Sequence, residues 1–278
     1  MDVIKKNILT IDCEDFLSLP AFKNIKPSFD WDKLINKQVN LVLDTLYSAN
    51  DTKATFFVVG EIARRNPHLI KRIEEKGHHI GSHSNVHLPI NKLSKSEFAS
   101  DLEKSLYYLN GAMRKEVNCY RAPIWSYKKE MVWFWDVLKQ NKIIYDSSIF
   151  PISKYLFGNP KEKRFINQKQ SGIIELPPST FKIFGFNFPF SGGIYFRFLP
   201  YFFIKLIIKK SCKKYKQPIV MYFHPWELDP NLIKVKQITN FYKFILYFNT
   251  KKSLNKFSKL LNEFHFTSID RFFESQKL

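Results

Sequence analysis

A chain of 278 residues with 45% hydrophobic and 25% charged residues can build a substantial core, which excludes the disordered class. Its 44 Lys and Arg against 25 Asp and Glu leave a formal charge of +19, and 28 Phe help carry the aromatic fraction to 17%. The combination points to an anionic partner without naming one. Three cysteines, Cys13, Cys119 and Cys212, form no Cys-x-x-Cys pair and are too few to staple a chain this long, so reduced thiols in a cytoplasmic compartment are expected.

The N-terminal residues pass within a few positions into a strand-like run, with no apolar region of signal-peptide length, so export by that route is not expected. That first strand covers 7–11, and an amphipathic helix over 31–48 follows. A strand at 54–59 leads into a helix over 62–76, which begins just after Gly60 and stops at Gly77. Next come a strand at 79–81, a helix over 94–113, a strand at 118–121, a helix over 128–140 and strands at 143–145 and 172–176. A helix over 200–214, a strand at 218–223 and a helix over 252–264 complete the order. Strands alternating with helices predict a parallel α/β fold, and seven strands favour a barrel over an open sheet. No repeat or low-complexity linker interrupts it, so residues 1–278 read as a single domain.

The basic excess is concentrated late: residues 201–278 hold 15 basic and 5 acidic side chains. No zinc finger, RNP-type motif or basic zipper accompanies it, so nucleic acid is not the expected partner. The apolar stretch 198–208 is interrupted by Lys205 and is shorter than the ~20 residues of a spanning helix; it can lie on a membrane but not cross one.

Polar residues gather where the expected strands end: Asp12, Glu14 and Asp15 after the first, His83 and His87 after the third, Arg121, Asp146, and His224 after the last. In a parallel barrel those ends converge on one face, where active sites are built. His83 and His87, four residues apart, point the same way on a helical turn, as two ligands of one metal require. A carboxylate from the Asp12-Cys13-Glu14-Asp15 group would complete a His₂-carboxylate set suited to a hydrolytic metal. One remaining carboxylate can take a proton from water, and His224 can give one to a leaving group.

These residues resemble the polysaccharide deacetylase family (NodB homology, carbohydrate esterase family 4). The resemblance rests on Thr10-Ile11-Asp12-Cys13-Glu14-Asp15, on residues 53–60, on Gly77 through His87 with its His-x₃-His, and on Arg121-Ala122-Pro123. It continues through Asp146-Ser147-Ser148-x-x-Pro151 to Tyr222-Phe223-His224-Pro225-Trp226-Glu227. The segments Glu175-Leu176-Pro177 and 192–200 resemble a subgroup associated with bacterial exopolysaccharide and lipopolysaccharide clusters.

The resemblance implies a distorted (β/α)₇ barrel, one divalent metal with zinc first, and hydrolysis of an N-acetyl group from an amino sugar of a bacterial surface glycan or its precursor. By position it implies Asp12 as base, His224 as acid, Arg121 holding Asp12, Asp146 orienting His224 or lining the pocket, and His83 and His87 as ligands. For the third ligand the order is Asp15, then Glu14, then Cys13. Trp125, Tyr195, Phe196 and Trp226 are candidates for stacking on sugar rings, and Arg197 for contacting an anionic group of the substrate. The sugar is expected as a nucleotide sugar, a lipid-diphosphate sugar or part of a finished polymer, and the basic, aromatic segment from about residue 231 to 278 is expected to approach the inner membrane face. Two other readings stand beside this one: hydrolysis of another amide such as a ureide or imide, and a silent glycolipid- or polyanion-binding protein.

Overall fold

Seven short runs pair as parallel strands in a computed structural model that describes residues 6–16, 29–153, 158–235 and 238–276. The strands are β1 (Asn7–Cys13), β2 (Thr55–Val58), β3 (His79–Ser82), β4 (Cys119–Tyr120), β5 (Tyr145–Asp146), β7 (Ile174–Glu175) and β10 (Val220–Phe223). Their order is β10-β1-β2-β3-β4-β5-β7, with β6 (Asn167–Gln168) antiparallel on the outer edge and β11 (Phe266–Thr267) paired with the start of β1. This is the expected distorted (β/α)₇ barrel. No ladder joins β7 to β10 among the described residues. The gap is spanned by the chain after β7: Ser179 N–H donates to Val220 O (3.0 Å), and Gly192 bridges to Tyr222.

Strand alternation sorts β1 into two faces. Leu9, Ile11 and Cys13 point outward into the main core, where they meet Val39, Val42, Leu43 and Leu46 of α1 (Trp31–Ser48). Ile8, Thr10 and Asp12 share the other parity: Ile8 packs with Phe57, Cys119 and Val220, while Thr10 and Asp12 both accept from Arg121.

The expected helix over 62–76 is two helices, α2 (Gly60–Arg65) and α3 (Pro67–Glu75). Pro67 disfavours helical backbone at Asn66, whose φ is −130°, and then starts the second helix, where its missing N–H costs nothing. Further along, α4 (Lys95–Ala112) opens on a Ser94–Glu97 capping box, and α5 (Phe134–Gln140) is shorter than expected. Beyond β7, where sequence patterning is weakest, come a hairpin of β8 (Thr180–Ile183) and β9 (Phe186–Pro189), then α6 (Gly193–Phe198) and α7 (Tyr201–Tyr215). The chain ends with α8 (Asn240–Tyr247), α9 (Thr250–Glu263) and α10 (Ile269–Glu274).

Candidate active site

Asp12, one residue before the end of β1, sits in a cavity of ≈ 220 Å³ at the C-terminal ends of the strands. Arg121, fully buried after β4, donates from one guanidinium nitrogen to Asp12 Oδ1 (2.5 Å) and Thr10 Oγ1 (3.0 Å), and from another to Ser147 Oγ (2.8 Å). Ser147 Oγ in turn donates to Leu176 O (2.6 Å), so the base candidate is braced across four strand ends.

Glu14, His83 and His87 are all buried and present one donor atom each within 4.8 Å of one another. The expected helical turn does not form. The chain leaves β3 through a loop in which Ser84 (φ 62°) and His87 (φ 56°) take left-handed backbone, and His87 N–H donates to Ser84 Oγ (2.8 Å). The loop nonetheless brings the two imidazoles to 4.9 Å between centroids. His83 Nδ1 lies 2.8 Å from Arg121 O, which leaves its Nε2 as the free lone pair facing Glu14 at 3.5 Å. His87 Nε2 abuts Glu14 Oε2 without the alignment of a hydrogen bond, and His87 Nδ1 has no hydrogen-bond partner. Three converging, buried donors with an imperfectly satisfied imidazole fit a divalent cation, and His₂-carboxylate sets are a zinc preference.

The expected order of carboxylates is reversed here, because Glu14, not Asp15, faces the histidines. Residues 12 and 14 share the inward parity of β1, whereas Cys13 is carried into the helix-facing core. Burial, reinforced by Glu14, Asp12 and Asp15, pushes the Cys13 thiol far above its ordinary range and makes it a poor ligand. For Glu14, burial acts upward, but the neighbouring His87 and His83 hold it well below the usual carboxylate range.

His224 closes the opposite side, with Nε2 3.9 Å from Asp12 Oδ2 and 3.3 Å from Glu14 Oε1. Its Nδ1 is held at 2.8 Å by Glu227, a residue that sequence reasoning did not place in the site although it lies three positions after His224. Burial acts to lower its pKa, yet Glu227, Glu14 and Asp12 together push it up to about 9. Asp146 does not orient His224: it is turned toward Ser148 and toward Glu175, its cross-strand partner in β7, and burial raises it.

Arg197, expected to contact the substrate, lines the same cavity but has its guanidinium engaged within the protein. It donates through Nε to Glu227 Oε1 (2.9 Å) and through its other nitrogens to the carbonyls of Ile245, Leu246 and Phe248 (2.7–3.3 Å). Trp226 also lines the cavity, and it stacks on the His224 ring (5.2 Å, 21°) with the Arg197 guanidinium 5.5 Å from its own centroid, so it packs the acid candidate as well. Phe196 is buried in the core against Phe223. Trp125 and Tyr195 do line the cavity wall, next to Phe150 and Tyr222. Trp125 is carried there by left-handed backbone at Ile124 and Trp125, a strained turn of the kind found at functional sites.

Residues 23–144 match the model of the polysaccharide deacetylase family, and residues 147–274 match a domain of unknown function, DUF3473. The first of these regions belongs to the polysaccharide deacetylase family. A peptidoglycan-N-acetylglucosamine deacetylase of Listeria monocytogenes is 47% identical over 64 residues, 23% of this chain and 14% of that one. Such matches span a quarter or less of the length of the first curated relatives. Among solved structures, a Mycobacterium smegmatis protein superposes over all of this chain and 94% of its own with a TM-score of 0.64 at 16% identity. A CE4 family pseudoenzyme from Bacillus anthracis reaches 0.52 at 16% identity over 97% of this chain and 66% of its own. The fold therefore does not carry activity by itself. The site draws on both matched regions, His83, His87 and Arg121 from the deacetylase-family region and Arg197, His224 and Glu227 from the second, while Asp12 and Glu14 precede both.

Proposed function

We propose that the protein hydrolyses the N-acetyl group of an amino sugar belonging to a bacterial glycan or its precursor. One observation carries this reading: Asp12 Oδ2 and His224 Nε2 face each other at 3.9 Å in one cavity, beside the donors Glu14, His83 and His87. A proton acceptor, a proton donor and a cation site within reach of one amide are what amide hydrolysis requires. The relatives' action on peptidoglycan N-acetyl sugars supports the substrate class. The segments around Gly192–Pro200 and Glu175 favour an exopolysaccharide or lipopolysaccharide sugar, lipid- or nucleotide-linked.

Zinc or another divalent cation held by Glu14, His83 and His87 would supply Lewis acidity toward the acetyl oxygen and acidify a water. Arg121 occupies Asp12 Oδ1 and so directs Oδ2 to the cavity, where it accepts the proton of the attacking water. Glu227 fixes the His224 ring with Nδ1–H donating, and His224 Nε2 delivers its proton to the departing amine nitrogen. Acetate and a cationic amino sugar result. Trp125 and Tyr195 offer apolar faces for the sugar ring. The two matched regions act as one catalytic domain, because β2 to β4 of the first and β7 and β10 of the second lie in one sheet together with β1 and β5. The three free cysteines suit action in the cytoplasm, before the glycan is exported.

The test is acetate release, and loss of one acetyl mass, from N-acetylglucosamine oligomers and from nucleotide- and lipid-linked N-acetyl sugars. Metal-loaded protein is expected to deacetylate at least one, and chelation to stop it. Metal-replete protein that deacetylates none of them overturns the reading.

A further inference from the structure

The β8–β9 hairpin turns most of its apolar face to solvent, with only Phe181 at its base half-buried against the main core. Its register pairs Phe181 with Phe188 and Ile183 with Phe186, which places four apolar side chains on one face. The opposite face meets the protein at its base, where Asn187 donates to Pro151 O (2.6 Å), Thr180 accepts from Arg164 (3.0 Å) and Pro189 is buried, while Lys182 on the same face is exposed. Ordinary two-sided strands put the apolar face inward. Here Ile183, Phe186 and Phe188 are exposed, and the tip residue Phe184 is 95% exposed at a φ of 45°, a turn position that usually holds Asn, Asp or Gly.

A second apolar surface is formed by Phe198 at the end of α6 and Phe244 of α8, both exposed, which meet across Phe248 (5.6 and 4.8 Å between centroids). Lys234 and Lys243 border it. Both surfaces adjoin the candidate active site. Pro151, which accepts from the hairpin, lies between the cavity-lining Phe150 and Ile152, while Tyr195 and Ile245 line the same cavity from α6 and α8.

The sequence that carries these surfaces is strongly basic. Between residues 180 and 262 the chain has fifteen Lys and Arg and only two acids, Glu227 and Asp229, and both acids are buried. Along α7, Lys205, Lys209, Lys210, Lys213 and Lys214 accompany the exposed Phe202, Phe203 and Leu206. No helix among the described residues is long and apolar enough to cross a membrane. Protruding aromatics set in a field of lysines are the arrangement that inserts at a headgroup boundary while cations meet anionic lipids.

We propose that the β8–β9 hairpin and the Phe198–Phe244 surface seat the protein on an anionic lipid bilayer, with the cavity mouth beside the lipid headgroups. This goes beyond the deacetylase reading, and vesicle binding needs no turnover, so the two fail separately. The test is flotation of the full chain with phosphatidylcholine vesicles with and without phosphatidylglycerol, at low and high salt. Binding is expected only with the anionic lipid and to weaken with salt. The double variant Phe184→Ser, Phe186→Ser should bind at least about tenfold more weakly, since each change withdraws a ring from the interface. Its thermal unfolding should match the wild type, because both side chains are exposed. As an independent readout, Phe184→Trp should be quenched by brominated lipid. Absence of binding to anionic vesicles at low salt, equal binding by the double variant, or an unquenched Trp overturns the proposal. So does a wild-type dimer in sedimentation velocity that the double variant abolishes, since a second copy would then cover the hairpin.

Discussion

Replacing Glu227 by Gln removes one charge and leaves the shape of the side chain. Glu227 Oε2 lies 2.8 Å from His224 Nδ1, and its Oε1 accepts from Arg197 Nε at 2.9 Å, both in the buried interior. Arg197 can only donate, so the Gln amide must turn its oxygen to Arg197 and its NH₂ to His224. The ring is then forced to accept at Nδ1, which deprives it of the positive form that protonates a leaving amine. A carboxylate and an imidazolium with charge centres ~4 Å apart attract by about 4 kcal/mol at an effective dielectric of ~20. That corresponds to roughly three decades, and general-acid catalysis is itself worth about 10²–10⁴-fold. The expected outcome is a fall in kcat of about 10²–10³-fold with a smaller change in KM. Folding should lose stability as well, by up to about 3–5 kcal/mol, because buried Arg197 keeps the Gln oxygen and the carbonyls of Ile245, Leu246 and Phe248 but loses its counter-ion, so kcat is read on protein shown to be folded. The assay is initial-rate acetate release with bound metal quantified on the same samples. A kcat within about threefold of wild type at equal metal content would refute the positioning role.

Three further outcomes follow from the geometry. Glu14→Gln should weaken divalent-metal binding by more than about 100-fold, whereas Asp15→Asn and Cys13→Ser should change it less than about threefold in equilibrium dialysis; the reverse ranking would restore Asp15 as ligand. His78, whose Nδ1 accepts from Ala54 N–H, has its pKa pushed down by burial and by Lys53 to about 3, so its neutral form is the folded one. Its contribution is intact above the unfolded value near 6.5 and is lost as pH falls toward 3, by up to about 1.4 kcal/mol per pH unit. His78→Asn, which keeps an acceptor, should flatten that acid limb in denaturant titrations, and an unchanged limb would assign it elsewhere. Gly192→Ala should cost at least about 3 kcal/mol by denaturant unfolding, because Gly192 sits at φ 155° with a built Cβ only 1.8 Å from Tyr222 O; near-wild-type stability would mean that this bridge is dispensable.

The strand and helix alternation was legible because it depends on local periodicity. All seven expected strands form, and the polar residues at their ends do gather at one end of the barrel. The choice between Glu14 and Asp15 was also within reach of the sequence, since a period of two already couples residue 14 to residue 12. Other assignments depend on what lies far away in the chain. Asp146 meets Glu175 only through the β5–β7 register, and Arg197 finds its partners 30 and about 50 positions later. His83 and His87 converge as expected but by another route, because two left-handed residues do the work assigned to a helical turn. The hairpin went unseen because its alternation spans only four residues a side around Phe184 and Gly185.

Arg197 grips α8 by its main-chain oxygens, at Ile245, Leu246 and Phe248, and not by its side chains. Any sequence that still ends a helix there presents the same oxygens. Ile245, which lines the mouth, can therefore be exchanged to suit a different glycan while Glu227 and His224 stay where they are. Recognition and chemistry are thereby made separable, so a lineage can change what it binds without relearning how to cleave it.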